Sequence, residues 1–446
     1  MFFRSLFLMI TRDVIMTDAL RVQYEAYPYP ARVPADEARR LITGSPSHLA
    51  EINHYLFGGC LDFQAPLRIL FAGGGSGDGT IMLAQQLHDV GSPARITYLD
   101  LSEAARKIAE ARAERRGLSN IEFFQGSLLE IEQHGLFDYI DCCGVLHHLE
   151  YPAAGLRSLV GALAPRGGIG LMVYAPYGRT GVYPLQAALR LITRDVEGQR
   201  PSSPAERVAL TRRLLRHLPS TNWLRRNPIM GDHVISDAGL YDLLLHSQDR
   251  AYTVPELAQL VNEGGLAIKS FIEPARYQPQ TYVRDPSLLK RLETLSFLEQ
   301  AAWAEQICGA TSKHIVYLTR PEDVACATVC LDDQPETLIP VPHGIDGPSL
   351  ARQMPIGGIL EAELEGLSLP ISLPLPRLAN ALLSRIDGKT TLGELYKQLA
   401  TIDGGKRTLS WETFFSQFCR LYEALNKVNK MLLRRSNVNN VNERKE

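Results

Sequence analysis

The chain has 446 residues, with 47 Lys and Arg against 49 Asp and Glu and a formal net charge of −2. This balance argues against a strongly basic nucleic-acid-binding protein. A composition of 45% hydrophobic and 22% charged residues excludes bulk disorder, collagen and coiled coil, and the length predicts two or three domains.

Residues 1–60 predict an N-terminal arm and lid. The apolar run 1–10 is soon ended by polar residues and no small-residue cleavage site follows, so we expect residues 1–15 to be an extension or flexible arm rather than a signal peptide. The stretch 24–30 reads Tyr-Glu-Ala-Tyr-Pro-Tyr-Pro, and its prolines argue against a regular helix there.

Residues 61–179 alternate between strand and helix patterns. The predicted strands are 67–72, 95–99, 121–124, 137–142 and 169–174, and the predicted helices are 79–88, 102–116 and 156–163. Strands that alternate with helices of this length indicate βαβ units and a parallel sheet. This region is the expected core of an α/β domain.

Residues 180–252 break this rhythm and predict a helical insertion on the acceptor side of the core. Residues 253–321 then complete the core. Thr253 and Glu256 form the pattern of a helix cap before a helix at 254–263. A strand at 267–272, a helical stretch at 284–308 and a last strand at 313–318 follow.

Residues 322–436 predict a smaller C-terminal module that is mainly helical or similar to a winged helix. Its sequence is rich in proline and poor in strand patterns up to residue 376, and a long helix at 411–432 closes it. Such a module can recognise a protein substrate, form a homodimer or brace the catalytic domain. The polar residues 437–446 predict a disordered tail.

Glycines follow the first strand of the core. Gly73, Gly75 and Gly77 stand between this strand and a helix, where a ligand can approach main-chain amides. Asp100 ends the next strand, 23 residues after Gly77, and its carboxylate can accept hydrogen bonds from the ribose hydroxyls of an adenosine group. The alternative is that Asp100 only caps the helix at 102–116. Glycines spaced by two throughout differ from the Gly-x-Gly-x-x-Gly loop of nicotinamide-dependent oxidoreductases.

With these elements in place, the run from Leu67 to Tyr177 resembles the class I S-adenosylmethionine-dependent methyltransferases. The matching motifs are Phe137–Ile140, Gly144–Leu149 (Gly-Val-Leu-His-His-Leu) and Leu163–Gly168 (Leu-Ala-Pro-Arg-Gly-Gly). The Tyr-Pro-Tyr-Pro segment and the appended C-terminal module are similar to a bacterial subgroup of these enzymes. The resemblance implies an α/β, Rossmann-like, doubly wound sheet of seven strands in the order 3-2-1-4-5-7-6.

The resemblance also implies S-adenosylmethionine as the cofactor. The implied cofactor-binding residues are Gly73, Gly74, Gly75, Gly77, Asp100, Leu101, Gly126, Ser127 and Cys143, with Tyr24 and Tyr29 from the lid. Two positions depart from the family pattern. Phe71 stands where the family has an acidic residue that organises the methionine end of the cofactor, and Gly126-Ser127 stands where it has an aspartate near the adenine.

Candidates for chemistry and for acceptor binding lie after the fourth strand and before the sixth. His147 and His148 are candidates for a general base or a substrate contact, and the alternative is that they only pack or cap the loop. The residues expected at the acceptor are Tyr27, His246, Asp249 and Tyr252. No metal site is expected, because Cys326 and Cys330 lack a second ligand pair at zinc spacing.

The sequence therefore predicts a methyltransferase that transfers a methyl group in line to a protein side chain or to a nitrogen or oxygen of a small molecule. The alternative is a degenerate domain that acts as a binding scaffold. Seven scattered cysteines indicate free thiols and a cytoplasmic location. No apolar run reaches the roughly 18 residues of a membrane span, so no membrane is an expected partner. The net charge of −2 makes nucleic acid an unexpected partner as well.

Overall fold

The computed structural model describes residues 20–193, 202–354, 356–364, 366–367, 370–400 and 409–436. The predictions for the arm at 1–15 and for the tail at 437–446 lie outside these residues. Among the helices of the described ranges, none combines the length and the apolar character needed to cross a bilayer.

A seven-stranded sheet forms the centre of the fold, in the order β3-β2-β1-β4-β5-β7-β6. Its strands are β1 (Arg68–Ala72), β2 (Arg95–Asp100), β3 (Ile121–Gln125), β4 (Phe137–Cys143), β5 (Leu163–Tyr174), β6 (Ala267–Phe271) and β7 (Lys313–Thr319). Strands β1 to β5 pair in parallel, and β6 runs antiparallel to β7. The predicted strand order and α/β class are confirmed.

Burial on both faces explains why the central strands are almost continuously apolar. In β1, Leu70 pairs with Ile140 of β4, and neither side chain is accessible to solvent. The next pair in this register sets Phe71 of β1 beside Asp141 of β4. A carboxylate is therefore buried in the middle of the sheet, beside the position where the family pattern would have an acid on β1.

The described residues divide into two compact units. The first comprises residues up to 47, 63–264 and 309–315. It begins with a helical stretch at 20–26, which ends before Pro28. Its longer helices are α2 (Asp78–Asp89), α3 (Glu103–Arg116), α4 (Pro152–Gly161), α5 (Val182–Thr193), α6 (Pro204–Leu215) and α9 (Val254–Glu263).

Helix boundaries in this unit follow local capping chemistry. The Ser102 hydroxyl caps α3, which ends at Gly117 with a left-handed φ of 69°. Thr253 and Glu256 form the predicted capping box of α9. Within 180–193 and 202–252 the described residues form α5 and α6, the short helices α7 (Asp232–Ile235) and α8 (Asp237–Leu240) and a π-helical turn at Tyr241–Leu245, as expected of a helical insertion.

The second unit comprises residues 48–62, 265–308 and 316–446. Besides β6 and most of β7, its strands are β8 (Leu338–Pro342), β9 (Ile359–Ala362), β10 (Ile371–Pro374) and β11 (Met431–Arg435). Its helices are α1 (Leu49–Leu56), α10 (Pro286–Leu292), α11 (Phe297–Cys308), α12 (Gly347–Gln353), α13 (Ala379–Leu383), α14 (Leu392–Ala400) and α15 (Trp411–Asn426).

Two expectations for the C-terminal region are wrong in detail. Strands β8, β9 and β10 lie in the stretch that the sequence indicated to be poor in strands. The closing helix ends at Asn426 instead of 432, because Asn429 adopts a left-handed φ of 56° and β11 then pairs antiparallel with β8. The apolar run at 431–433 fits both a helix and a buried strand, and the pairing with β8 decides between them.

An ion network fixes the N-terminal segment to the first unit. Arg112 on α3 is 1% exposed, and its guanidinium donates to Glu37 and to Asp78, each at 2.7 Å. Arg32 also donates to Asp78, and Arg116 donates to Glu37. Burial raises the pKa of Asp78, but Arg32 and Arg112 outweigh it and hold the pKa below its ordinary value. The segment that precedes the sheet is thus bound to the helices that flank the glycine loop.

Replacing Arg112 tests this network. We expect Arg112→Ala to lower the free energy of unfolding by about 3–5 kcal/mol, because it leaves the buried Glu37 carboxylate without its main partner. Urea unfolding followed by circular dichroism measures the change. The control is Lys107→Ala on the same helix, whose exposed pair with Glu103 should leave the stability nearly unchanged. Equal effects of the two substitutions would contradict the stabilising role of the buried Arg112 network.

Candidate functional site

The strand order places a crevice where β1 is flanked by β2 on one side and by β4 on the other. In open α/β sheets such a switch point binds ligands at the carboxyl ends of the strands. A cavity of about 380 Å³ lies there, a size suited to a small organic ligand. The ends of β1 to β4, the glycine loop and the N-terminal segment form its walls.

The glycine loop needs glycine for steric reasons at two positions. Gly73 has a φ of 84°, and a Cβ there would lie 2.4 Å from a methyl group of Val145. A Cβ on Gly74 would lie 2.2 Å from the ring of Tyr98. The backbone of the loop can therefore approach both the cavity and the neighbouring side chains.

Asp100 connects this loop to the end of β2. Its two carboxylate oxygens accept the amide protons of Gly75 and Ser102, each at 2.8 Å. Burial raises the pKa of the Asp100 carboxyl, and the two amides oppose that shift. The carboxylate lies in the cavity wall and keeps lone pairs for further donors.

The N-terminal segment closes one side of the cavity. The Ser76 hydroxyl donates to the carbonyl of Pro30 at 2.7 Å, and the Ser102 hydroxyl donates to the carbonyl of Tyr24 at 3.2 Å. The Glu25 carboxylate accepts the first amide protons of α3, where the helix dipole favours a negative charge. These contacts hold Tyr24 and Tyr29 in the cavity wall.

Asp141 is a site residue that the sequence analysis missed. Its carboxylate lines the cavity and accepts hydrogen bonds from the hydroxyls of Ser47 at 2.6 Å and Tyr139 at 3.1 Å. Burial raises the pKa of Asp141 to about 6, although these hydrogen bonds oppose the shift. The missing acid on β1 was noted from sequence, but a carboxylate on the adjacent β4 needs the strand order to be recognised.

The two adjacent histidines have different environments. His148 lines the cavity, and its Nδ1 lies 3.0 Å from the carbonyl oxygen of Gln248. His147 is fully buried between His148 and Tyr174, and neither of its ring nitrogens has a hydrogen-bond partner in the described part of the chain. Burial lowers the pKa of His147, so its ring is neutral. Of the pair, His148 is the one placed to contact a ligand.

Asp242 and Tyr174 are two further cavity residues that were not predicted. The Tyr174 hydroxyl donates to one carboxylate oxygen of Asp242 at 3.0 Å, and the Tyr24 hydroxyl donates to the other at 3.4 Å. Tyr24 also lies 3.1 Å from Nε2 of His246. Asp242 stands in an apolar helical stretch of the insertion, and its charge in that stretch was the only indication in the sequence that it belongs to the site.

Most predicted cofactor residues converge on this one cavity. Its walls include Gly73, Gly74, Gly75, Asp100, Leu101, Gly126, Ser127, Cys143, Tyr24 and Tyr29. Gly77 lies outside the lining and precedes the first turn of α2. Burial raises the pKa of the Cys143 thiol to about 12, so this part of the wall is uncharged.

The predicted acceptor residues lie behind or beside the cavity. His246 is 1% exposed and stacks on His148 with ring centroids 3.7 Å apart. Asp249 forms an ion pair with Arg179 at 3.0 Å. Tyr27 stacks on Tyr241. Tyr252 is buried beneath the guanidinium of Arg250.

The steric argument for the loop leads to a stability test. We expect Gly73→Ala to lower the free energy of unfolding by about 2–4 kcal/mol, through both a strained φ and a clash with Val145. Gly91→Ala is the matched control, because Gly91 has a φ of 67° but open space around it, and about 1 kcal/mol is expected. Thermal and urea unfolding measure both. Similar losses would show that crowding at Gly73 is unimportant.

Comparisons with known proteins agree with this geometry. Residues 70–169 match the family described as "Methyltransferase domain". An uncharacterized protein of Synechococcus sp. is 32% identical over 292 residues, which are 63% of this chain and 66% of that protein. Ubiquinone biosynthesis O-methyltransferase of Albidiferax ferrireducens is 26% identical over 218 residues, which are 48% of this chain and 82% of that enzyme.

A solved structure extends the similarity in fold beyond this domain. PKMT2 from Rickettsia typhi, in complex with AdoHcy, has a TM-score of 0.60 at 15% sequence identity, covering 88% of this chain and 75% of that chain. The seven-stranded order 3-2-1-4-5-7-6 is the one implied by the resemblance to class I enzymes. Residues 70–169 are therefore similar to a methyltransferase domain, and the seven-stranded sheet has the strand order of a Rossmann-like methyltransferase fold.

Proposed function

We propose that this protein transfers the methyl group of S-adenosylmethionine to an acceptor bound in the switch-point cavity. The observation that carries the proposal is Asp100, a carboxylate fixed by the Gly75 amide at the wall of a cavity of suitable size. A carboxylate at the end of β2 and a glycine loop at the end of β1 are the arrangement that binds adenosine-containing cofactors.

The residues present fit the groups of this cofactor. Asp100 would accept hydrogen bonds from the ribose hydroxyls, and Gly126 and Ser127 would lie beside the adenine. Asp141 would bind the ammonium group of the methionine end, in place of the family's acid at position 71. Amides near the start of α2 would face the carboxylate, consistent with the positive end of a helix dipole.

When bound, the cofactor supplies a methyl group on a positively charged sulfur, which is an excellent leaving group. The protein's contribution is then mainly position and alignment. Tyr24, Tyr29 and Pro30 cover the cavity and exclude water from it. Burial and nearby carboxylates raise the pKa of Tyr24, so its hydroxyl stays protonated and its ring faces are available to a cation.

The acceptor in this proposal is a protein side chain or a nitrogen or oxygen of a small molecule. The relative from Albidiferax ferrireducens bears the name of an O-methyltransferase of ubiquinone biosynthesis, which supports a small-molecule acceptor. The C-terminal module supports a protein acceptor, which it would recognise. The same proposal has three further parts. The protein belongs to the subgroup with the Tyr-Pro-Tyr-Pro segment, it has a cytoplasmic location suited to its free thiols, and it forms a homodimer.

Cofactor binding is tested first by replacing Asp100. We expect micromolar binding of S-adenosylmethionine and S-adenosylhomocysteine by calorimetry, and a loss of about 10- to 100-fold in Asp100→Asn, since a charged acceptor of two hydroxyls is removed. Asp89→Asn, at the exposed end of α2, is the control and should bind normally. A folded wild-type sample that binds neither ligand would favour the scaffold alternative.

Asp141 gives the proposal a pH dependence. Its pKa of about 6 means that the carboxylate is charged above this pH and becomes neutral as the pH falls through it. An ammonium group would lose its partner on protonation, so we expect affinity for S-adenosylhomocysteine to fall between pH 7 and pH 5. Calorimetry across this range, on wild type and Asp141→Asn, is the measurement. The variant should bind more weakly at pH 7 with a flatter profile; identical profiles would exclude this role.

A further inference from the structure

The acceptor side of the cavity contains a buried carboxylate that forms no ion pair with an arginine or lysine of the described residues. Asp242 is 5% exposed and lines the cavity, and its hydrogen bonds come from the neutral hydroxyls of Tyr24 and Tyr174. Within the described ranges no arginine or lysine forms an ion pair with it. The buried guanidinium of Arg179 pairs with Asp249 instead. A buried charge of this kind is costly unless a partner or a proton neutralises it.

The hydrogen bonds around Gln248 assign the protons of the two stacked histidines. Its backbone N–H donates to Nδ1 of His246 at 3.1 Å, so the proton of this neutral ring is on Nε2, facing the oxygen of Tyr24. Its carbonyl accepts from Nδ1 of His148 at 3.0 Å, so in the neutral ring of His148 the lone pair is on Nε2. Burial lowers the pKa of His246 and keeps its ring neutral.

These assignments separate two cations that the cluster can hold. His148, Asp242 and His246 each offer one atom, and the three atoms lie within 4.8 Å of one another, which is a spacing compatible with a metal ion. A metal needs the lone pair of Nε2 on His246, yet this nitrogen carries a proton as long as Nδ1 accepts from Gln248. An ammonium group needs acceptors only, and Asp242 and His148 provide them.

We propose that Asp242, His148 and the tyrosines at positions 24, 29 and 174 form a subsite for an amine, and that the methyl acceptor is a primary amine bound as its ammonium ion. The inference rests on the methyl transfer proposed above. Asp242 accepts one N–H and supplies the missing opposite charge. His148 Nε2 accepts another. The rings of Tyr24 and Tyr29 line the same cavity and favour a cation, and Tyr174 contributes through its hydroxyl on Asp242.

The transfer step balances with these groups. His148 Nε2 takes one proton from the ammonium and leaves a neutral amine. The lone pair of this amine forms the new N–C bond to the methyl carbon while the S–C bond breaks, and its electron pair stays on sulfur. The product is a methylated ammonium ion, and His148 returns its proton to solvent, so each turnover releases one proton.

Binding of n-butylammonium and of n-butanol tests the subsite on the unmodified protein. The two probes have similar size but differ in charge, and each is titrated by calorimetry into the protein saturated with S-adenosylhomocysteine. We expect n-butylammonium to bind at least about tenfold more tightly than n-butanol, since only it pairs with the buried carboxylate. Equal binding of the two probes, or binding of n-butanol alone, would overturn the inference.

Asp242→Asn then identifies the residue responsible. This variant should bind n-butylammonium about 10- to 100-fold more weakly while its affinity for S-adenosylhomocysteine, which reports a correct fold, is unchanged. Asp237→Asn is the matched control, because that carboxylate lies on the same insertion but is exposed and paired with Arg212. A variant that binds the ammonium ion as tightly as wild type would exclude Asp242. If the variant does not fold, the comparison of the two probes on wild type remains decisive.

Two further results separate the alternatives. Stoichiometric binding of Zn²⁺ that is lost in Asp242→Asn, without a preference for n-butylammonium, would overturn the inference in favour of a metal site. Binding of S-adenosylhomocysteine without binding of n-butylammonium would overturn the amine subsite alone. Absence of S-adenosylhomocysteine binding would instead overturn the proposed function, and titration of n-butylammonium into the free protein would still test the subsite.

Discussion

The reversal of strand order beside β1 is the constraint on which the site depends. Because β2 and β4 lie on opposite sides of β1, the helices that follow these strands diverge and leave a crevice at their carboxyl ends. Hydrophobic pairing such as that of Leu70 with Ile140 holds the strands in register. Asp100 and Asp141 are therefore attached to strands of this sheet, which gives the precise positioning that a bound ligand requires.

The N-terminal segment forms one wall of the cavity in this crevice. The buried guanidinium of Arg112 binds Glu37 and Asp78, and the Ser76 hydroxyl holds the carbonyl of Pro30. Removing charged groups from water is costly, so such a network is stable only when all partners are present. The segment is thereby fixed above the glycine loop, and its tyrosines can contribute to the site.

The carboxylates around the cavity have different surroundings, and this difference separates their roles. Asp78 is surrounded by arginines and serves the structure. Asp100 accepts two backbone amide protons and is fixed in place. Asp141 accepts hydrogen bonds from two hydroxyls and from the Cys143 backbone, and Asp242 accepts from two tyrosine hydroxyls; burial raises the pKa of each. These two are the groups that gain most from a positively charged ligand, one at each end of the cavity in our proposals.

The sequence by itself determined the βαβ core, the glycine loop and Asp100, because periodicity and spacing along the chain report local structure directly. The sequence also showed that Phe71 stands where the family has an acidic residue, but it did not indicate that Asp141 could take the place of that residue. Asp141 and Asp242 became visible only in the tertiary structure, since their roles depend on which strand lies beside β1 and on where the insertion folds back. The same holds for His147 and His148, which are adjacent in sequence and equivalent by type. Only packing decided that one is sealed in the core and the other faces the cavity.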